Sequence, residues 1–450
     1  MKRPDVIVVG AGSAGCVAAR RCAEMGLKTL LLERKPRSQV GLKVCGDEVS
    51  KSHFDATGID YPSGNQVASV IAGADVYPPD MANIMRVRGW KEFDGWTVDR
   101  LAFGQRLLDE ALSMGAELID ECHVTEPIIK NDRVVGVCYK RIGEDEEVSL
   151  RTHIVVDASG FAGVIRNKLD MPLVEGRIDK EDIALCYREI IRLKMPLAEP
   201  EVARVLLGGK VAPSGYAWVF PKGPLVVNAG VGICGGSGRG SPKSHFDSFR
   251  DSYPLFHDCQ VLEGGGGAVP VRRPLKSLVA DGVMFVGDAA LQVNPIHGGG
   301  LGPGMRAATV LGEVAKEAIA RKDVSARGLW HYNLRYLTAF GKRLASLEVF
   351  RRLLQQVSDD DMDYGFRKRI LEPEDLMAAN RGEGISLGIV EKLARAKRGA
   401  GRIGLLMKLQ KASHLMNKMI KLYAQYPADP QSLERWYDNV LSVIGAADFT

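Results

Sequence analysis

Two hydrophobic patterns alternate along this chain. Short β-branched runs without a polar break read as buried parallel strands, at residues 5–9, 29–32 and 282–286. Longer stretches with apolar positions three and four apart read as helices, over 14–25, 97–114 and about 303–320. In the second of these, Leu101, Leu107, Leu108, Ala111 and Leu112 make one apolar face. Further strands are predicted at 117–122, on either side of Asn131-Asp132, from Val148 to the run Ile154-Val155-Val156-Asp157 that ends it, and near 183–193, 216–221 and 225–233. Pro221-Lys222-Gly223-Pro224 turns the last two into a hairpin. From about Gly328 onward the period is helical.

Glycine motifs sit where two of the buried strands end. The first strand runs into Gly10-Ala11-Gly12-Ser13-Ala14-Gly15. Gly10 permits the tight turn, Gly12 lets backbone approach a pyrophosphate, and Gly15 lets the helix beginning at Ala14 pack on the strand. The helix N-terminus favours phosphate. The strand at 29–32 ends in Glu33, an acid about 20 residues beyond the glycines and placed to accept adenosine ribose hydroxyls. It would repel a 2′-phosphate, so the resident dinucleotide is FAD or NAD. A second motif follows the strand at 282–286: Gly287-Asp288-Ala289-Ala290, then Pro295-Ile296-His297-Gly298-Gly299-Gly300-Leu301. Asp288 can reach a ribitol or ribose hydroxyl. The glycines open a helix whose positive end suits the pyrimidine edge of a reduced flavin. Together the motifs predict FAD in a glutathione-reductase-type Rossmann domain.

The expected class is therefore α/β (α+β overall). Residues 1–60, 97–175 and 276–327 form a discontinuous FAD-binding domain. An inserted antiparallel β-sheet domain for substrate takes 61–96 and 176–275, and 328–450 make a helical C-terminal region. Arg100 lies in the first turn of its helix, a poor place for a cation on dipole grounds. Either it meets a cofactor phosphate or ribose, or it is simply solvated.

The 450 residues, with 46% hydrophobic and 26% charged content, fit a globular protein of two or three domains. No run of about 18 apolar residues predicts a membrane span. The N-terminus enters a core strand at once, which leaves no room for a signal peptide. Eight cysteines lack CxxC spacing and read as thiols of a cytoplasmic protein, with no metal site expected. Residues 392–421 carry nine Lys or Arg and no acid. There Leu405, Leu406, Leu409, Ala412, Met416, Met419 and Ile420 recur at helical spacing, with Lys408, Lys411 and Lys418 on another face. Such a helix either packs on the core or lies peripherally on the anionic inner face of the cell membrane. No nucleic-acid motif accompanies the charge.

Three further stretches carry a resemblance: Lys43-Val44-Cys45-Gly46-Asp47-Glu48, Tyr216-Ala217-Trp218-Val219-Phe220-Pro221-Lys222-Gly223, and 295–301. With the FAD motifs they make the chain resemble the geranylgeranyl reductases, among flavoproteins built like p-hydroxybenzoate hydroxylase, over about residues 1–340. The resemblance implies that Gly10, Gly12, Ala14, Gly15 and Glu33 hold the adenosine end of FAD. It puts Cys45, Gly46 and Glu48 near the flavin or ribityl chain, and Arg100 and the Val124 backbone on the adenine side. Asp288 takes a ribityl or pyrophosphate contact, and Gly300 and Leu301 approach the isoalloxazine. Tyr216, Trp218 and Phe220 alternate along a strand and share a face, which the resemblance makes the wall of a prenyl tunnel.

The implied chemistry is hydride transfer from reduced flavin to isolated C=C bonds of geranylgeranyl chains in archaeal ether-lipid precursors. Cys45 is a candidate proton donor, or merely a small residue permitting close approach. The electron donor stays open among NAD(P)H, ferredoxin, a deazaflavin and a quinol. Two other readings share the fold: a flavin monooxygenase of an apolar substrate, and a membrane-associated FAD dehydrogenase feeding quinone. A non-catalytic lipid carrier with structural FAD is a third.

Overall fold

The computed structural model describes residues 3–90, 94–235, 240–381 and 398–449. A six-stranded sheet has the order Val279–Ala280, Val283–Phe285, Ile154–Asp157, Val6–Val9, Thr29–Leu32 and Glu117–Ile119. All neighbours run parallel except the first pair. Val6–Val9, Thr29–Leu32 and Ile154–Asp157 are buried at every position. That is why they read as unbroken apolar runs. Helices Ser13–Glu24 and Leu301–Ala320 cross so closely that a Cβ on Gly312 would lie 2.6 Å from that of Arg21. An antiparallel sheet of Cys122–Lys130, Arg133–Arg141 and Glu147–Arg151 flanks this unit. Its hairpin turns through Asn131 and Asp132, both at positive φ, as a type I′ turn requires.

Three expected elements are divided or displaced. The strand expected at 117–122 is split between Glu117–Ile119 and Cys122–Lys130, and the one expected from Val148 to Asp157 between Glu147–Arg151 and Ile154–Asp157, each half in a different sheet. The helix predicted from Thr97 begins at Arg100, capped by the Asp99 carboxylate on the Ala102 amide. Gly95–Val98 is instead the central strand of a small sheet with Glu48–Ser50 and Val67–Ile71. Val98 is fully buried there, and its apolar character had merged with the helical period.

A seven-stranded sheet has the order Gln260–Pro270, Ile183–Arg192, Val226–Cys234, Tyr216–Pro221, Val202–Leu207, Gly73–Tyr77 and Met85–Arg88. Only the pairing of Val202–Leu207 with Gly73–Tyr77 is parallel. Helix Pro242–Ser252 and its neighbours cover the back through Phe246, Phe249 and Phe256.

Beyond residue 325 the described chain is helical. Helix Lys342–Leu354 is joined to the rest by buried ion pairs: Arg273 with Glu348 at 3.1 Å and Arg351 with Asp182 at 2.6 Å. Burial works to raise the Glu348 carboxyl, but Arg273 and the neighbouring guanidiniums outweigh it and hold it well below the usual carboxylate range. Of the basic stretch at 392–421, residues 392–397 lie outside the described residues. The remainder forms helix Ile403–Ala424, and it uses its apolar face internally. Leu405, Ala412, Leu415, Met416, Met419 and Tyr423 are buried, while Lys411 and Lys418 face solvent. Among the described residues no helix is long and apolar enough to cross a membrane.

Candidate functional site

One continuous cavity of about 1730 Å³ connects both glycine motifs to the face of the seven-stranded sheet and to the C-terminal helices. Its first end is the turn after Val6–Val9. A Cβ on Gly15 would sit 1.9 Å from the Gly10 carbonyl oxygen, and one on Gly10 would sit 2.6 Å from that of Ala158. These two glycines let backbone meet backbone. A Cβ on Gly12 would meet nothing within 4 Å, so its backbone fronts open cleft. Gly15 is the one expected cofactor residue that serves packing and does not line the cavity; Gly10, Gly12, Ala14, Glu33, Cys45, Gly46, Glu48, Arg100, Val124, Asp288, Gly300 and Leu301 all do.

Several groups here fit a dinucleotide. Helices Ser13–Glu24 and Leu301–Ala320 start at Gly12 and Gly300, neither with a side-chain cap, and both open onto the cavity. Arg100 is buried, with Nε and Nη1 unpartnered and only a 3.4 Å contact from Nη2 to Ser13 Oγ. An anion would satisfy it, so the solvated alternative does not hold. Glu33 stands at its strand end, where its carboxylate accepts from the amides of Ala11 at 2.7 Å and Lys35 at 2.9 Å. Asp288 accepts from Lys43 Nζ at 2.9 Å, and Asp288 in turn raises the Lys43 ammonium.

The middle of the cavity is crossed by residues 43–48, which buried polar groups hold in place. Asn228 donates to the Cys45 carbonyl at 2.7 Å and to Asp47 at 3.0 Å. Lys222 pairs with Asp47 at 2.9 Å, and Trp218 Nε1 donates to Asn228 at 3.1 Å. Asp47 has φ of 66°, which turns the chain here. Its neighbour Glu48 lines the cavity, and burial pushes its carboxyl up to about 7. His53 and His297 also line this space. Burial lowers both, His297 to about 4, so each is neutral near pH 7.

Tyr216, Trp218 and Phe220 share the cavity face, as alternation requires. They are not an open wall, however. A Cβ on Gly46 would lie 3.1 Å from the Phe220 ring, so Phe220 supports the 43–48 loop. Trp218 lies flat over Gly230, whose Cβ would be 2.3 Å from its ring. Tyr216 donates its hydroxyl to the His297 carbonyl at 2.7 Å, which joins the sheet to the second glycine motif. The open apolar lining comes from Val205, Leu207, Met85, Phe350, Phe366 and Met377, none of them expected from sequence.

A family model described as FAD dependent oxidoreductase matches residues 5–185, and one described as geranylgeranyl reductase catalytic domain matches 182–269. The chain is 37% identical to a digeranylgeranylglycerophospholipid reductase of Sulfolobus acidocaldarius over 97% of each. The chain belongs to this reductase family. A second member, from Methanopyrus kandleri, is 32% identical over 92% of this chain and 99% of its own. A geranylgeranyl bacteriochlorophyll reductase-like structure from Thermoplasma acidophilum superposes with a TM-score of 0.76 at 26% identity, covering 92% of this chain and all of that one. A flavin-dependent brominase shares the fold alone, with a TM-score of 0.63 at 19% identity over 89% of this chain and 98% of its own. The family's cofactor, FAD, is also that of this chain.

Proposed function

We propose that the chain saturates isolated C=C bonds in the geranylgeranyl chains of an archaeal ether phospholipid. The observation that carries this is one continuous cavity, in which a dinucleotide cleft joins an apolar space lined by Val205, Leu207, Phe350 and Met377. Bound FAD, once reduced, supplies hydride. The remaining work falls to the protein. The 43–48 clamp fixes the loop beside the cofactor, and the channel excludes water and aligns an unpolarised alkene. Such positioning is worth roughly 7–11 kcal/mol in favourable cases.

The second alkene carbon needs a proton. Glu48 is our assignment for the donor: its carboxyl faces the cavity and keeps its proton to about pH 7. Cys45 is the other candidate, and a Cys45→Ala variant with full turnover removes it. Gly10, Gly12, Ala14, Glu33, Arg100, Val124 and Asp288 are assigned to the adenosine, pyrophosphate and ribityl portions, Gly46, Gly300 and Leu301 to the flavin. Reducing equivalents come from NAD(P)H, ferredoxin, a deazaflavin or a quinol. Contact with the membrane is assigned to Ile403 and Met407, each 64% exposed at the start of the basic helix.

An anaerobic assay tests the reading without a physiological donor. Chemically reduced enzyme is mixed with a geranylgeranyl ether phospholipid and the products are weighed by mass spectrometry. Stepwise gain of hydrogen pairs with flavin reoxidation is expected. No hydrogenated product would sink the proposal, and an oxygenated product on admitting air would put the monooxygenase in its place.

A further inference from the structure

Strand pairing arranges the cavity face of the seven-stranded sheet in rows. One row is Val205, Trp218, Gly230, Arg188 and Gly265, and the next is Leu207, Tyr216, Gly232, Cys186 and Gly267. Arg188 is the only cation in these rows. It lines the cavity, is 5% exposed, and sits between two glycines that leave room around it. Its Nη2 meets Glu263 at 2.8 Å, while Nε and Nη1 are buried without a partner. A buried charged donor left unpaired is costly, because nothing replaces the water it gave up. Glu263 is 61% exposed, so the pair spans from interior to solvent and places Arg188 just inside a rim. That rim is strand Gln260–Pro270, the edge of the sheet, where Gly264 to Gly267 present backbone without side chains. Val44 closes over it, since a Cβ on Gly265 would be 2.8 Å from Val44 Cγ2.

An amphiphile needs two things of such a site: an apolar channel for its chain and a cation at the rim for its head. We propose that Arg188 anchors the phosphate of the lipid headgroup, with Glu263 holding the guanidinium until the phosphate arrives. This rests on the prenyl-lipid reading above. Arg100 belongs to the dinucleotide turn, beside Ser13 Oγ, and is assigned to the cofactor.

The test measures Kd on oxidised holoenzyme for two lipids, a digeranylgeranylglycerophospholipid and its phosphate-free diether alcohol. Arg188→Gln is expected to weaken the phospholipid on the order of 30-fold and to leave the alcohol within about threefold. Arg188→Lys should recover part of the loss, and Glu263→Gln should tighten the phospholipid. FAD content and flavin midpoint potential should not move. Equal loss on both lipids would overturn the proposal, as would an unrecovered Lys variant that keeps its FAD. A shifted potential would also overturn it, by assigning the cation to the flavin. Because Kd needs no turnover, a wild type that binds but never reduces the lipid would sink the reductase reading and leave the Arg188 result standing.

Discussion

Glycine shapes both ends of the cavity, but for different reasons. In the dinucleotide turn, Gly10 and Gly15 are required because main chain meets main chain, at 2.6 and 1.9 Å from where a Cβ would be. On the seven-stranded sheet, Gly230 is required by a side chain, the Trp218 ring, and a Cβ on Gly232 would crowd the Cys186 sulfur at 3.3 Å. Backbone contacts cannot move without dismantling the fold. Side-chain contacts can adjust at the cost of strain. At these positions the cofactor turn is therefore rigid by construction, and the sheet beside Trp218 is adjustable.

Gly15→Ala is the strongest way to break this comparison. It should cost more than about 3 kcal/mol, at the upper limit of overpacking, and abolish FAD retention; thermal denaturation and the flavin spectrum measure both. A variant that stays stable and yellow would refute the backbone argument. Glu48→Gln tests the group lying between the two ends. Turnover should drop by about 10²-fold or more, as loss of a general acid requires. In the parent enzyme, the proton-bearing form is the active one, so the rate should fall as pH rises through about 7. The Gln variant should lose that limb, and an unchanged pH profile would exclude Glu48. Gly230→Ala should cost roughly 1–3 kcal/mol, because the Trp218 ring can tilt. It should keep FAD and lose lipid turnover, a split that chromatography and the assay resolve. Gly12→Ala should leave apoprotein stability unchanged, since its Cβ meets nothing within 4 Å, yet weaken FAD in a direct titration. Equal losses from Gly12→Ala and Gly15→Ala would erase the distinction within the motif.

The two ends also differ in how well the sequence discloses them. Gly10 to Gly15, Glu33 and the strand Tyr216–Pro221 are local patterns, and they occupy the places their spacing predicts. The strand Gln260–Pro270 carries little signal, because four consecutive glycines leave no side chains to alternate. The clamp of Asp47, Lys222 and Asn228 joins residues about 175 or more positions apart, with no local signature. Gly230 and Gly232, two apart on a strand that follows the aromatic one, did carry a signal. Alternation puts both on one face, where missing side chains make room for rings. The basic helix at 403–424 stayed undecided because amphipathicity does not say what covers the apolar side. Here the covering element is largely helix Lys342–Leu354.

The methionines of the cavity lining have a consequence for substrate tolerance. They are Met85, Met362 and Met377, unbranched thioethers that change rotamer easily. An enzyme that works through several alkenes on one chain takes its own product as its next substrate, and each saturation leaves that chain more supple. A hard, shape-matched end wall would reject successive intermediates. A methionine lining adapts to each of them, so this surface is suited to tolerating successive saturation states and not to telling them apart.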